Sequence, residues 1–74
     1  MQIKVRLFAT LREGRGKERL MEFNKPVSSL DIINQLGINA QDVAILLVNG
    51  FDRPLDTELN VGDTVSIFPP VGGG

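Results

Sequence analysis

The chain has 74 residues, 42% hydrophobic and 23% charged, with eight Lys or Arg against nine Asp or Glu and a formal net charge of −1. That length supports one small core and no more, and the charge balance excludes the basic footprint of a nucleic-acid-binding domain. No apolar run approaches the roughly 20 residues that span a bilayer, and the alternating N-terminus is unlike a signal peptide, so neither nucleic acid nor membrane is expected as a partner and a cytoplasmic location is expected. Cys, His, Trp and Tyr are all absent. There is therefore no thiolate nucleophile, disulfide or zinc–sulfur site, and no side chain whose ordinary pKa lies near neutrality. Self-contained catalysis is not expected, and no catalytic residue is assigned.

Residues Gln2 to Phe8 alternate strictly, which predicts a strand with Ile3, Val5 and Leu7 on one face and Lys4, Arg6 and Phe8 on the other. The polar, glycine-punctuated stretch Arg12 to Lys17 predicts a reversing loop, and Arg19 to Phe23 a second strand ended by Pro26, which completes a hairpin. Ser28 is placed as a helix N-cap, with Asp31 three residues on as the second half of a capping box and Val27 and Ile32 as the staple pair. Leu30, Ile33 and Leu36, widened by Ile32, form the apolar stripe, and Gly37 with Ile38 predicts a Schellman ending. Val43 to Val48 is continuously apolar and predicts a strand buried on both sides. Asn49-Gly50 predicts a tight turn, and Phe51 to Leu55 a short return restricted by Pro54 to an edge or bulge. After the turn Asn60 to Asp63, Thr64 to Phe68 predicts the last strand, with Val65 and Ile67 inward and Thr64, Ser66 and Phe68 outward, stopped by Pro69-Pro70.

Hairpin, helix and further strands make an α+β order. One helix across one face of a sheet is the economical way to bury Ile3, Val5, Leu7, Ile33, Leu36, Val65 and Ile67 together. The local signals leave the strand order open; in the usual arrangement of these elements the first and last strands lie parallel at the centre of a mixed sheet. That is the β-grasp, or ubiquitin-like, fold. The expectation is a four- to five-stranded sheet in a single domain over 1–70, followed by a flexible C-terminal tail over 71–74.

Four features bear on function. Gly14-Arg15-Gly16-Lys17 lacks the glycine spacing, the hydroxyl residue after lysine and the following helix of a phosphate loop, and is read as a charged hairpin turn. Asp52, Asp56, Glu58 and Asp63 do not match calcium-loop spacing and are read as turn and surface residues, so no metal is expected. Strand parity puts Phe8 and Phe68 on the sheet face opposite the helix, joined there by Leu59 from the preceding loop. A single helix has nothing left to cover that face, so it reads as a protein-docking patch, the other reading being a small satellite cluster covered by the chain's own loops. Finally, Pro69-Pro70-Val71-Gly72-Gly73-Gly74 combines a stiff base with an unhindered tip suited to a narrow crevice, and the five residues from Pro70 reach about 16 Å when extended. The residues alone leave this end equally open to being a frayed terminus.

The sequence resembles the MoaD/ThiS sulfur-carrier family across essentially its whole length. Leu7-Phe8-Ala9-Thr10-Leu11-Arg12-Glu13 is similar to a MoaD-type opening, and Leu47-Val48-Asn49-Gly50 to the family's central strand and turn. The block from Leu59 through Gly62-Asp63, the strand to Phe68 and Pro69-Pro70-Val71 to the glycine end is the most specific likeness. The resemblance implies that the carboxylate of Gly74 is adenylated by an E1-like adenylyltransferase of the MoeB/ThiF type, with ATP and magnesium used by that partner. A sulfur donor enzyme then converts the product to a thiocarboxylate. Val71, Gly72 and Gly73 would enter the partner's active site, while Phe8, Leu59, Phe68 and Pro70 would face the partner. No cofactor is bound by the carrier itself, which acts as a co-substrate or small subunit and not as an enzyme. Phe68-Pro69-Pro70-Val71 is MoaD-like, implying molybdopterin as the destination and the molybdopterin synthase large subunit as a second partner. The terminal Val71-Gly72-Gly73-Gly74 is similar to ThiS-type carriers, implying as alternatives thiazole synthase and the thiamine thiazole. A ubiquitin-like modifier joined to lysines is a further alternative, and a passive adaptor that never uses its end is another.

Overall fold

The structure is a computed structural model and describes residues 1–70. Strands β1 (Gln2–Leu7), β2 (Glu18–Glu22), β3 (Ile45–Val48), β4 (Phe51–Asp52) and β5 (Thr64–Phe68) form one sheet, and helix α1 (Ser29–Gln35) lies between β2 and β3 in the chain. The sheet order is β2-β1-β5-β3-β4. β1 and β5 are parallel at the centre, Val5 beside Val65 and Leu7 beside Ile67, while the other neighbours are antiparallel. This is the β-grasp arrangement. The expected tail over 71–74 lies outside the described residues.

The period-two pattern of the central strands is obeyed strictly: Ile3, Val5, Leu7, Val65 and Ile67 have no exposed surface and share one core with Ile32 and Ile33 of α1. Both ends of the short helix are specified locally. The Ser28 hydroxyl accepts from the Asp31 amide (3.2 Å) and the Asp31 carboxylate accepts from the Ser28 amide (2.9 Å), completing the capping box. At the other end Gly37 takes φ +76°, its amide donates to Asn34 (3.1 Å), and the Ile38 amide donates to Ile33 (2.9 Å), which is the full Schellman pairing.

Three expectations are corrected. β3 starts at Ile45 and is buried on one face only: Leu46 and Val48 enter the core, whereas Ile45 is 47% exposed and Leu47 half-buried. With one helix, every strand keeps an uncovered face, so a continuous apolar run here does not mean two-sided burial. The return strand β4 is two residues long. Instead of continuing in the sheet, the chain from Arg53 to Leu59 turns toward the start of α1. There the Leu55 and Thr57 carbonyls accept from the Leu30 (2.7 Å) and Ser29 (3.2 Å) amides. Together with the Ser28 hydroxyl they satisfy the helix's otherwise orphaned first-turn donors. Leu59 follows this segment into the core, 2% exposed, with its amide donating to Val27 (2.9 Å). It is not on the open sheet face, because the loop carrying it runs along the helix side.

Candidate functional site

The open face is built by the strand register. Residues paired directly across a sheet share a face, so Lys4 lies beside Thr64, Arg6 beside Ser66, Leu47 beside Ser66, and Ile45 beside Phe68. Phe8 extends this face one residue beyond β1: its backbone is extended (φ −125°, ψ 151°), and its amide donates to Ile67 (3.2 Å). The Phe8 and Phe68 rings stack with centroids 4.1 Å apart and planes at 11°. Phe8, Phe68, Ile45 and Leu47 thus form an apolar lane at one end of the sheet. Sequence parity located the two rings; it missed Ile45 and Leu47. Their signal was present in the alternation with Leu46 and Val48, once only one helix is available to cover the sheet.

The conformation after Phe8 is unusual. Ala9 adopts φ +54°, a left-handed conformation that costs an L-residue about 1–2 kcal/mol. It turns the chain into a 3₁₀ turn (Ala9–Arg12) whose Leu11 is buried in the core. The turn brings Arg12 back so that its Nε donates to the Leu7 carbonyl (2.9 Å), and its guanidinium carbon sits 5.5 Å from the Phe8 centroid. Arg6 stands 5.6 Å from the same ring and pairs with Glu18 at 3.8 Å. An aromatic pair is therefore bordered by guanidinium groups on the β1 side and by aliphatic side chains on the β3 side.

Phe68 ends β5 at this lane, so the chain leaves the sheet beside the stacked rings, with Pro69 half-buried and Pro70 exposed. The expected tail residues Val71, Gly72, Gly73 and Gly74 lie outside the described residues. Of the residues expected to face a partner, Phe8 and Phe68 occupy one end of the open face, Pro70 is exposed two residues beyond it in the chain, and Leu59 is buried on the other side.

The two remaining motifs have structural employment. Arg15, in the glycine-flanked loop, donates from Nε to the Leu36 carbonyl (2.9 Å) and from Nη1 to Leu11 (3.2 Å). It thereby places a cation on the carbonyl end of α1, where the helix dipole favours one. The Asp63 carboxylate accepts from the Asn60 amide (2.7 Å) and from the Asn49 side-chain amide (2.9 Å), tying two turns together. Among the described residues no group of three acidic residues is placed to hold a metal ion, and no helix is long and apolar enough to cross a membrane.

A mixed five-stranded sheet with parallel centre strands, one helix on one face and an open face adjoining the chain's exit defines a ubiquitin-like β-grasp protein. A family model described as the ThiS family matches residues 5–74, and the chain belongs to that family. Among solved structures it is similar to a provisionally assigned molybdopterin converting factor subunit 1 from Pyrococcus furiosus (27% identity, TM-score 0.76, covering 96% of this chain and 99% of that one). It is also similar to SAMP1 from Haloferax volcanii (21% identity, TM-score 0.78, covering 100% of each chain). A third likeness is to the complex of subunits 1 and 2 of the molybdopterin-converting factor from Helicobacter pylori (24% identity, TM-score 0.66, 100% of each chain). The last two likenesses establish the fold alone. No curated protein sequence matches significantly.

Proposed function

We propose that this chain is a sulfur carrier: the Gly74 carboxylate is activated by an E1-like adenylyltransferase and becomes a thiocarboxylate that donates sulfur in cofactor assembly, with molybdopterin the favoured destination. The observation that carries this reading is the family match extending to residue 74, through a glycine end that lies a few residues in sequence beyond the half-buried aromatic lane of Phe8 and Phe68. A partner gripping that lane would hold the carrier where Val71, Gly72 and Gly73 enter its active site. The chemistry suits a chain without Cys or His. One carboxylate oxygen attacks the α-phosphorus of ATP, pyrophosphate leaves, and a sulfur nucleophile then displaces AMP from the acyl carbon. ATP, magnesium and the general bases belong to the partner, and an enclosed site keeps water from the reactive intermediate. The likeness to a converting factor subunit 1 supports the molybdopterin synthase large subunit as the acceptor; the ThiS family match also accommodates thiazole synthase and the thiamine thiazole.

Incubation with the adenylyltransferase, ATP, magnesium and a sulfur donor should raise the intact mass by one oxygen-to-sulfur exchange, and deletion of Gly74 should abolish it. An unchanged mass with every adenylyltransferase of the source genome would refute the reading. The same activated carboxyl supports a second reading, a modifier joined to lysines, because the fold is shared with the Haloferax volcanii small archaeal modifier protein 1. Higher-mass adducts that resist thiol reductant would favour it.

A further inference from the structure

Charge is distributed unevenly along the chain: seven of the eight Lys and Arg residues fall in the first 25 residues, against three of the nine acidic ones. The fold concentrates part of this excess beside the aromatic pair. A shallow cleft next to Phe8 is lined by Arg6, Leu7, Arg12, Lys17 and Glu18. Glu18 is its one acidic residue and is engaged with Arg6. Among the described residues neither Arg12 nor Lys17 forms an ion pair. Arg12 is also held in place: its Nε bond to the Leu7 carbonyl and its position over the Phe8 ring fix the guanidinium, which leaves the Nη groups as donors suited to bidentate pairing with a carboxylate. On the other side of the lane, Ile45 and Leu47 contribute no charge.

We propose that this cleft receives a carboxylate side chain of the protein that docks on the Phe8–Phe68 lane, and that Arg12 and Lys17 thereby set which way round the partner sits. The inference rests on the carrier reading for the existence of that partner, and adds its chemistry: an apolar patch with acidic residues along one side only. An apolar lane alone fits in either direction; a one-sided basic border does not, because the reversed pose leaves a partner carboxylate against Ile45 and Leu47 without a counter-charge. A protein carboxylate suits the cleft better than a nucleotide phosphate. The loop amides that would cradle a phosphate are already committed, Glu13 to Thr10 and both Arg15 and Gly16 to the Arg12 carbonyl, and the basic groups adjoin an apolar surface.

The test measures binding of the full chain to the adenylyltransferase of the source genome at low and high salt, with Lys17→Glu, Arg12→Glu and Phe68→Ala beside the natural sequence. Lys17→Glu should keep the natural melting temperature, because the Lys17 side chain is exposed and has no polar partner among the described residues. It should weaken binding at low salt about tenfold, chiefly through the association rate, with the difference shrinking as salt screens the pair. Arg12→Glu should lose at least as much. If Phe68→Ala weakens binding roughly thirtyfold while both charge reversals leave affinity and salt dependence unchanged, this inference is overturned and the carrier reading stands. If the natural chain binds no adenylyltransferase, both fall. Binding of ATP with magnesium in the absence of any protein partner, lost in Lys17→Glu, would make the cleft a nucleotide site and would likewise overturn the proposal.

Discussion

Replacing Phe68 by Ala separates docking from folding. Phe68 is half-buried on the open face, so truncation loses roughly half the 1.5–3 kcal/mol of a fully buried large side chain, about 1 kcal/mol. The stack with Phe8 adds about 1 kcal/mol more. The expected destabilisation is about 2 kcal/mol, which for a domain of this size lowers the melting temperature by roughly 10 °C. Its neighbour Ile67 has no exposed surface and sits between β1 and α1 in the core, so Ile67→Ala is expected to cost more, within the range of about 2–5 kcal/mol for such truncations. Partner binding should rank the two the other way. A central aromatic of a docking lane is a hot spot worth about 2 kcal/mol or more, or roughly thirtyfold in Kd, whereas the folded fraction of Ile67→Ala keeps the lane intact. Calorimetric melting gives the stabilities, and titration against the adenylyltransferase, corrected for the folded fraction, gives the affinities. Should Phe68→Ala destabilise the fold as much as Ile67→Ala and lose only the affinity its unfolded fraction explains, Phe68 is a core residue and the docking argument is wrong.

Leu59→Ala should lower stability by about 2–5 kcal/mol with unchanged affinity in the folded fraction, since the side chain is buried on the helix side; the opposite pattern in the same two assays would return Leu59 to the interface. Ser29→Ala should raise the urea midpoint by about 1 kcal/mol equivalent at unchanged m-value, because the fully buried Ser29 hydroxyl has no hydrogen-bond partner among the described residues and alanine removes its desolvation penalty. Ala9→Gly relieves a left-handed alanine but adds freedom to the unfolded chain, so a net gain of about 0.5–1 kcal/mol is expected by the same measurement. A loss of stability there would show that the turn after Phe8 is not strained.

The division between what the sequence makes legible and what it does not follows a physical pattern. A side chain's face on a strand is set by parity alone, and a helix end by the two or three residues that cap it. Both are short-range rules, which is why the positions of Ile3, Val5, Leu7, Phe8 and Phe68, the Ser28–Asp31 box and the Gly37 ending are legible in the sequence. Loops obey no such period. The segment from Arg53 to Leu59 leaves the sheet instead of prolonging β4, and its Leu55 and Thr57 carbonyls accept from the amides of Leu30 and Ser29, groups 25 and 28 residues away in the chain.

The local pattern of residues by itself determined that there would be an amphipathic sheet, one capped helix, two aromatic rings on the wrong side of their strands and a glycine end in a chain without Cys or His. Only the tertiary structure decided that Phe8 and Phe68 touch, that Ile45 and Leu47 join them, that Arg12 and Lys17 border them, and that Leu59 does not. The reason is that contact between distant segments depends on register and on which surfaces a single helix can cover, and neither is encoded within reach of any one stretch of the chain.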